Sequence, residues 1–197
     1  VERWLNENKE EFHALADYIW ENPELGLEEY LAFQKVTETF KKHGFSVEVG
    51  MGGMPTAFIA TYGSSGPVLG VNVEYDCLPG LSQKKDSSTE DPVCSGAPGH
   101  GCGHNILCAT AVMSAVALRY AIEEFNLDFT VKALGSPYEE ASVGKAMIGR
   151  EGYYNELDVI LDWHPWNYNR ANYDACNSVF VLEFVFRGKT CHGAMPW

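Results

Sequence analysis

"GHGCGHNILCATAVMSAVAL", residues 99–118, decides how the chain is read. Its second part, Ile106–Leu118, is 13 residues without a charge. That is shorter than the roughly 18–20 apolar residues a membrane span needs. It runs into the polar "RYAIEEF", so the spacing predicts a buried helix from about Ile106 to Phe125. Its first part sets His100, Cys102 and His104 at alternate positions between glycines. A helix that is apolar all round needs a sheet on one side and other cover on the rest.

The flanking segments supply that sheet. Upstream, "FSVEV" (45–49), "TAFIATYG" (56–63) and "PVLGVNVEYD" (67–76) read as strands, with "GSSG" turn chemistry between the last two. Downstream, "DFTVKALGSP" (128–137) and "LDVILDWHP" (157–165) read as strands ended by proline, with a short helix over "VGKAMIGREGYY" (143–154) between them. Leu5, Phe12, Leu15 and Ile19 give residues 3–20 helical spacing, and Asn22–Pro23 stops that helix. A second helix carries Phe33, Val36 and Phe40 on one face and ends at His43–Gly44. Strands alternating with helices predict an α/β fold with a mainly parallel sheet. From Gly80 to Gly101 runs a Gly/Ser/Pro-rich loop, and loops of that length are often functional.

Near Ala171 the texture changes. "SVFVLEFVFRGKT" (178–190) alternates strictly, with Phe180, Leu182, Phe184 and Phe186 on one face. That suits an antiparallel strand with one covered face. Residues 1–170 are read as the N-terminal part of one domain and 171–197 as the start of another, which stops at Trp197 as it begins.

The chain has 197 residues, a net charge of −13 and an apolar fraction of 46%. The charge argues against a nucleic-acid partner, which calls for a basic face. No apolar run of membrane length and no signal peptide is visible, and the chain opens on Val1 with charged residues close behind. Six cysteines form no CxxC pairs. Reduced thiols in a cytoplasmic protein are the expectation. Cys108, inside the apolar helix, reads as packing.

Ligands of open α/β sheets bind beyond the C-terminal ends of the strands. Four polar groups stand at such points: Glu74 and Asp76 in "VEYD", Cys102 and His104 in "GCGHN", Glu139 and Glu140 in "PYEE", and His164 in "DWHP". Each alone has a plainer reading. A single histidine is commonly a hydrogen-bonded core residue, and adjacent glutamates are commonly a surface pair. Together they read as a constructed site. Thiolate, imidazole and carboxylate suit zinc; without the thiolate they would suit manganese too. A metal lowers the pKa of the water it holds, and one of two adjacent carboxylates can serve as general base. Cys102 as a catalytic thiol, with His104 or His164 as its base, is the alternative. The nearby acids argue against it, because they raise a thiol's pKa.

"NPELGLEE", "EYDCLPG", "GHGCGHN", "SPYEEASVGK", "DWHP" and "GKTCHGAMP", in this order, resemble the dinuclear metal amidohydrolases of the aminoacylase and carboxypeptidase family. The resemblance runs over nearly the whole chain from about Ile19. It implies a three-layer, zinc-peptidase-like catalytic domain followed by an α+β lid and dimerisation domain. It implies two divalent ions, zinc or manganese, with Cys102 (bridging), His104, Glu140 and His164 as ligands. Glu139 would be the general base, and Asp76 would orient a ligand or tune the water. His192 would polarise the scissile carbonyl or grip the substrate. Peptidase members carry a histidine ligand where this chain has Glu74, and the Cys102 arrangement substitutes for it. His100 and Asn105 stand behind the ligands.

The resemblance further implies an N-acyl amino acid substrate, such as the aroyl-glutamate p-aminobenzoyl-glutamate, and a homodimer or a homologous second subunit. A dipeptidase, another deacylase and a catalytically silent subunit are the alternatives. Family members are roughly twice as long and carry a last histidine ligand near their C-terminus, which this sequence lacks. The chain therefore reads as a fragment or partial record of a longer protein, poorly active alone and exposing apolar surface around Phe180–Phe186.

Overall fold

The structure is a computed structural model that describes residues 1–171 and, beyond them, 182, 184–189, 192 and 194. The chain divides into two compact units, Val1–Asn167 and Tyr168–Trp197.

In the first unit, helices α1 (Glu2–Glu21) and α2 (Tyr30–Lys42) precede strands β1 (Ser46–Val49), β2 (Phe58–Tyr62) and β3 (Val68–Val73). Helix α3 (His104–Phe125), strand β4 (Thr130–Gly135), helix α4 (Gly144–Arg150) and strand β5 (Val159–Leu161) follow. The sheet order is β1-β2-β4-β3-β5. Strands β3, β4 and β5 are parallel, while β1 and β2 form an antiparallel flank. The chain thus has the expected α/β fold around a parallel core, with the antiparallel hairpin added at one edge.

Alternation along the strands divides the core into two faces. Phe58, Ala60, Val71, Val73, Val131 and Ala133 point to one side and pack with α1, α2 and α3. Ile59 and Leu134 point to the other and pack with Met51, Met54 and Ile148 of α4. Three layers result, as the resemblance implied. Removing a side chain such as Phe40 or Ile19 from water contributes about 1.5–3 kcal/mol each. Helix α3 has the length and mean hydropathy, 1.5, of a membrane-crossing helix. Here it is the core helix, with Leu107, Cys108, Val112, Ala115 and Val116 buried against the sheet layer and α1.

Helix α3 starts at His104, two residues before the apolar pattern begins. His104 and Asn105 carry no apolar signal, but Gly103 adopts a left-handed φ of 84° and turns the chain into the helix there. Strand β5 is only three residues long, and Val159, Ile160 and Leu161 are exposed rather than covered.

In the second unit, the strand expected over 178–190 falls largely on residues outside those described. Phe184 and Phe186, which are described, are exposed.

Candidate metal centre

The three parallel strands end on one side, and every segment that leaves them there carries polar groups. Strand β3 runs into Glu74, Tyr75 and Asp76, β4 into Ser136–Glu140, and β5 into Asp162–His164. The first turn of α3 faces the same place. His104 is fully buried at the centre. Its Nδ1 lies 2.9 Å from Asp76 Oδ1 and 3.1 Å from the Asp76 carbonyl oxygen. Both are acceptors, so Nδ1–H donates and Nε2 carries the lone pair. That Nε2 makes no hydrogen bond, although Glu74 Oε2 lies at 3.5 Å and Glu139 Oε2 at 3.6 Å.

His164 is fixed in the same sense. Its Nδ1–H donates to the Pro165 carbonyl at 2.8 Å, which leaves Nε2 facing Cys102 Sγ at 3.1 Å. The rings of His104 and His164 meet edge to face, with centroids 6.2 Å apart. Donor atoms of Cys102, His104 and His164 all lie within 4.8 Å of one another. Glu140 approaches His104 Nδ1 at 3.9 Å, and its backbone N–H donates to Asp76 Oδ2 at 3.0 Å. Its Oε1 is buried without a hydrogen bond.

The electrostatics are dominated by burial and by the crowd of carboxylates. Burial, then the charges of Glu140 and Glu139, push the Cys102 thiol up to about 11. Burial raises Glu140; the pull of His104 opposes it, and the charges of Asp76 and Glu139 reinforce it. Burial works to lower His104, but the hydrogen bond to Asp76 and the surrounding carboxylates outweigh it and the net shift is upward. Two imidazole lone pairs and a thiol within 4.8 Å of one another fit a divalent cation, and the orphaned Glu140 oxygen lies on the Nδ1 side of His104. Carboxylate and carbonyl acceptors orient the two histidines from behind, as they do ligating histidines in known zinc sites.

Local geometry holds these groups in place. Tyr138 (φ 55°) and Ser142 (φ 58°) both adopt left-handed conformations around the 3₁₀ turn Glu139–Ala141. A bulky residue there is a genuine outlier, of the kind that clusters at functional sites. Glu29 secures it: its Oε1 accepts the N–H groups of Tyr138 and Leu27, both at 2.9 Å, and its Oε2 accepts the Thr56 hydroxyl at 2.9 Å. Glu24, in the same "NPELGLEE" segment, accepts the N–H groups of Leu31 and Ala32 at the start of α2.

Of the residues named from sequence, Asp76, Cys102, His104, Glu139, Glu140 and His164 come together. His192 belongs to the second unit; it is exposed, and its Nδ1 accepts the Ala194 N–H at 3.2 Å. His100 is buried, with Nε2 3.1 Å from the Ile19 carbonyl, and burial lowers it to about 4. Reading the sequence missed Lys145, which reaches Glu74, Glu139 and Asp162, and Asn72, which donates to Asp162 at 3.0 Å. A lysine at the start of a short helix and an asparagine inside a strand carry no signal of their own. The "EYD" and "DWHP" segments were the available pointers to Glu74 and Asp162.

The chain belongs to the dinuclear metal-dependent amidohydrolase and peptidase family. Among its relatives, a p-aminobenzoyl-glutamate hydrolase subunit of Escherichia coli (strain K12) is 36% identical over 190 residues, covering 96% of this chain and 40% of that protein. Xaa-Arg dipeptidase of Mus musculus is 31% identical over 208 residues, covering 98% of this chain and 44% of that protein. A dinuclear metal-binding peptidase of the M20 family from Bacillus subtilis superposes with a TM-score of 0.63 at 22% identity, over 78% of this chain and 42% of that chain. No family model matches the sequence. The chain spans less than half the length of the curated relatives it matches, between 40% and 49%.

Proposed function

We propose that this chain forms part of a metal-dependent amidohydrolase that cleaves N-acyl amino acids, with p-aminobenzoyl-glutamate as substrate. The observation that carries the chemistry is the unpartnered, fully buried Nε2 of His104 beside Cys102 and His164. The substrate rests on the 36% identity to a protein named for that hydrolysis.

Cys102, His104, Glu140 and His164 would hold two divalent ions, zinc or manganese, which polarise the scissile carbonyl and acidify the attacking water. Asp76 holds His104 through Nδ1 and so keeps Nε2 turned inward. Glu139, partly exposed at the mouth, takes the proton of the attacking water and returns it to the leaving amine. His192 steadies the developing oxyanion. A homodimer or a homologous second subunit completes the reading, in keeping with the bacterial relative, whose name makes it one subunit of its enzyme. A cytoplasmic location is part of the same proposal.

The likeness to an Xaa-Arg dipeptidase favours a second reading, a dipeptidase. One experiment separates the two. The whole gene product is assayed for release of p-aminobenzoate from p-aminobenzoyl-glutamate and against a panel of dipeptides, with and without chelator. Release that chelator stops and metal restores is the expected result. Dipeptide cleavage alone selects the second reading. Turnover that resists chelator but dies on alkylation returns the chemistry to the Cys102 thiol.

A further inference from the structure

His104 belongs to two groups of donors that could each hold a cation. Donor atoms of Cys102, His104 and His164 lie within 4.8 Å of one another, and so do those of Glu74, His104 and Glu139. What separates the two groups is Lys145. Its ammonium forms an ion pair with Glu74 Oε1 and lies 3.3 Å from Asp162 Oδ2 and 3.6 Å from Glu139 Oε1. Glu74 is 1% exposed, and a buried carboxylate without a compensating charge is costly. The lysine supplies that charge from within the chain.

We propose that Lys145 is a positioning residue whose ammonium is the resident cation of the Glu74–Glu139–Asp162 carboxylates, so that Glu74 is no ligand and divalent ions are confined to the Cys102 side of His104. The proposal rests on the metallohydrolase reading. An ammonium has three donors and no lone pair, so it cannot join a coordination sphere. A divalent ion reaching Glu74 Oε1 would meet it at contact distance and be repelled. The backbone fixes its place. A Cβ on Gly144 would fall 1.9 Å from the Pro137 carbonyl oxygen, so only glycine lets α4 lie this close to the turn that bears Glu139. Lys145 follows directly. With one carboxylate oxygen of Glu139 toward Lys145 and the other toward His104, the rotation of that carboxylate is set before substrate arrives.

The test is metal stoichiometry in the whole protein, measured at saturating manganese and at saturating zinc. Lys145→Met should bind one more ion per chain than the wild type, and the double variant Glu74→Gln/Lys145→Met should not. A folded Lys145→Met with wild-type stoichiometry and affinity overturns the proposal. A second measurement needs no variant: amine acetylation of the wild type, mapped by mass spectrometry, with exposed Lys84 and Lys85 as references. Lys145 should label slowly with and without zinc. Faster labelling on zinc addition would mean that the ion displaces the ammonium from Glu74, and the proposal fails. A wild type that binds no metal refutes the metallohydrolase reading instead. The gain or lack of an ion in Lys145→Met still decides the role of the lysine.

Discussion

Glu29 and Glu140 sit at the same end of the sheet, and their surroundings are opposite. Glu29 is fully buried, yet three donors reach its two oxygens. Glu140 is less buried, and one of its oxygens has no donor at all. A satisfied buried carboxylate holds backbone together; an orphaned one next to His104 leaves an acceptor that a cation would satisfy. The difference separates the scaffold of the site from its chemistry better than burial does.

The largest effect should come from the chemical side. Glu139→Gln keeps the shape of the turn and removes the proton acceptor. Turnover should fall by about 10²–10⁴-fold, the usual worth of a general base, with metal content unchanged. Metal analysis alongside the kinetics checks this; parallel loss of metal would move Glu139 among the ligands. Cys102→Ala should behave in the reverse order, losing metal first and activity as a consequence.

That division was partly legible in the sequence. Strand and helix periods gave the layers, because the core-facing residues of β2, β3 and β4 alternate and α1 and α2 carry apolar stripes. The cluster of Asp76, Cys102, His104, Glu139, Glu140 and His164 was legible because each stands in a short motif at a strand or helix end. Lys145 and Asn72 were not, since both take their meaning from Asp162, 17 positions from the lysine and 90 from the asparagine. Glu29 was visible only as one acid in "NPELGLEE", and its bond to Tyr138 spans 109 positions.

Gly144→Ala tests the scaffold. The new Cβ would sit 1.9 Å from the Pro137 carbonyl oxygen, and backbone cannot yield as a flexible side chain can. Destabilisation of about 1–3 kcal/mol is expected, read by denaturant unfolding. KM and metal content should move less than kcat, because the displaced group is the Glu139 turn. Wild-type stability with unchanged kcat would show that α4 does not set this turn.

A smaller effect tests the thiol. With metal removed, alkylation of Cys102 by iodoacetamide, followed by peptide mapping to separate it from exposed Cys94, should rise about tenfold per pH unit until pH approaches about 11. Zinc should protect it at every pH. Fast alkylation at neutral pH in the metal-free protein would mean that a cation of the protein already serves Cys102.

The smallest effect returns to Glu29. Burial raises its pKa, against the hydrogen bonds that favour the charged form. For an acid with a raised folded-state pKa, the stability it contributes is fully present below the unfolded value of 4.5 and is lost as pH rises through the folded value. Glu29→Gln removes that loss while keeping the contacts. Its amide oxygen can accept from Leu27 and Tyr138, and its nitrogen can donate to the Thr56 hydroxyl. Unfolding measured from pH 4 to pH 7 should show the variant gaining on the wild type as pH rises. If the wild type gains instead, the three donors outweigh burial and the carboxylate is held as a charge. The contrast between the two glutamates would then lie in which of them has donors enough to stay ionised without a cation.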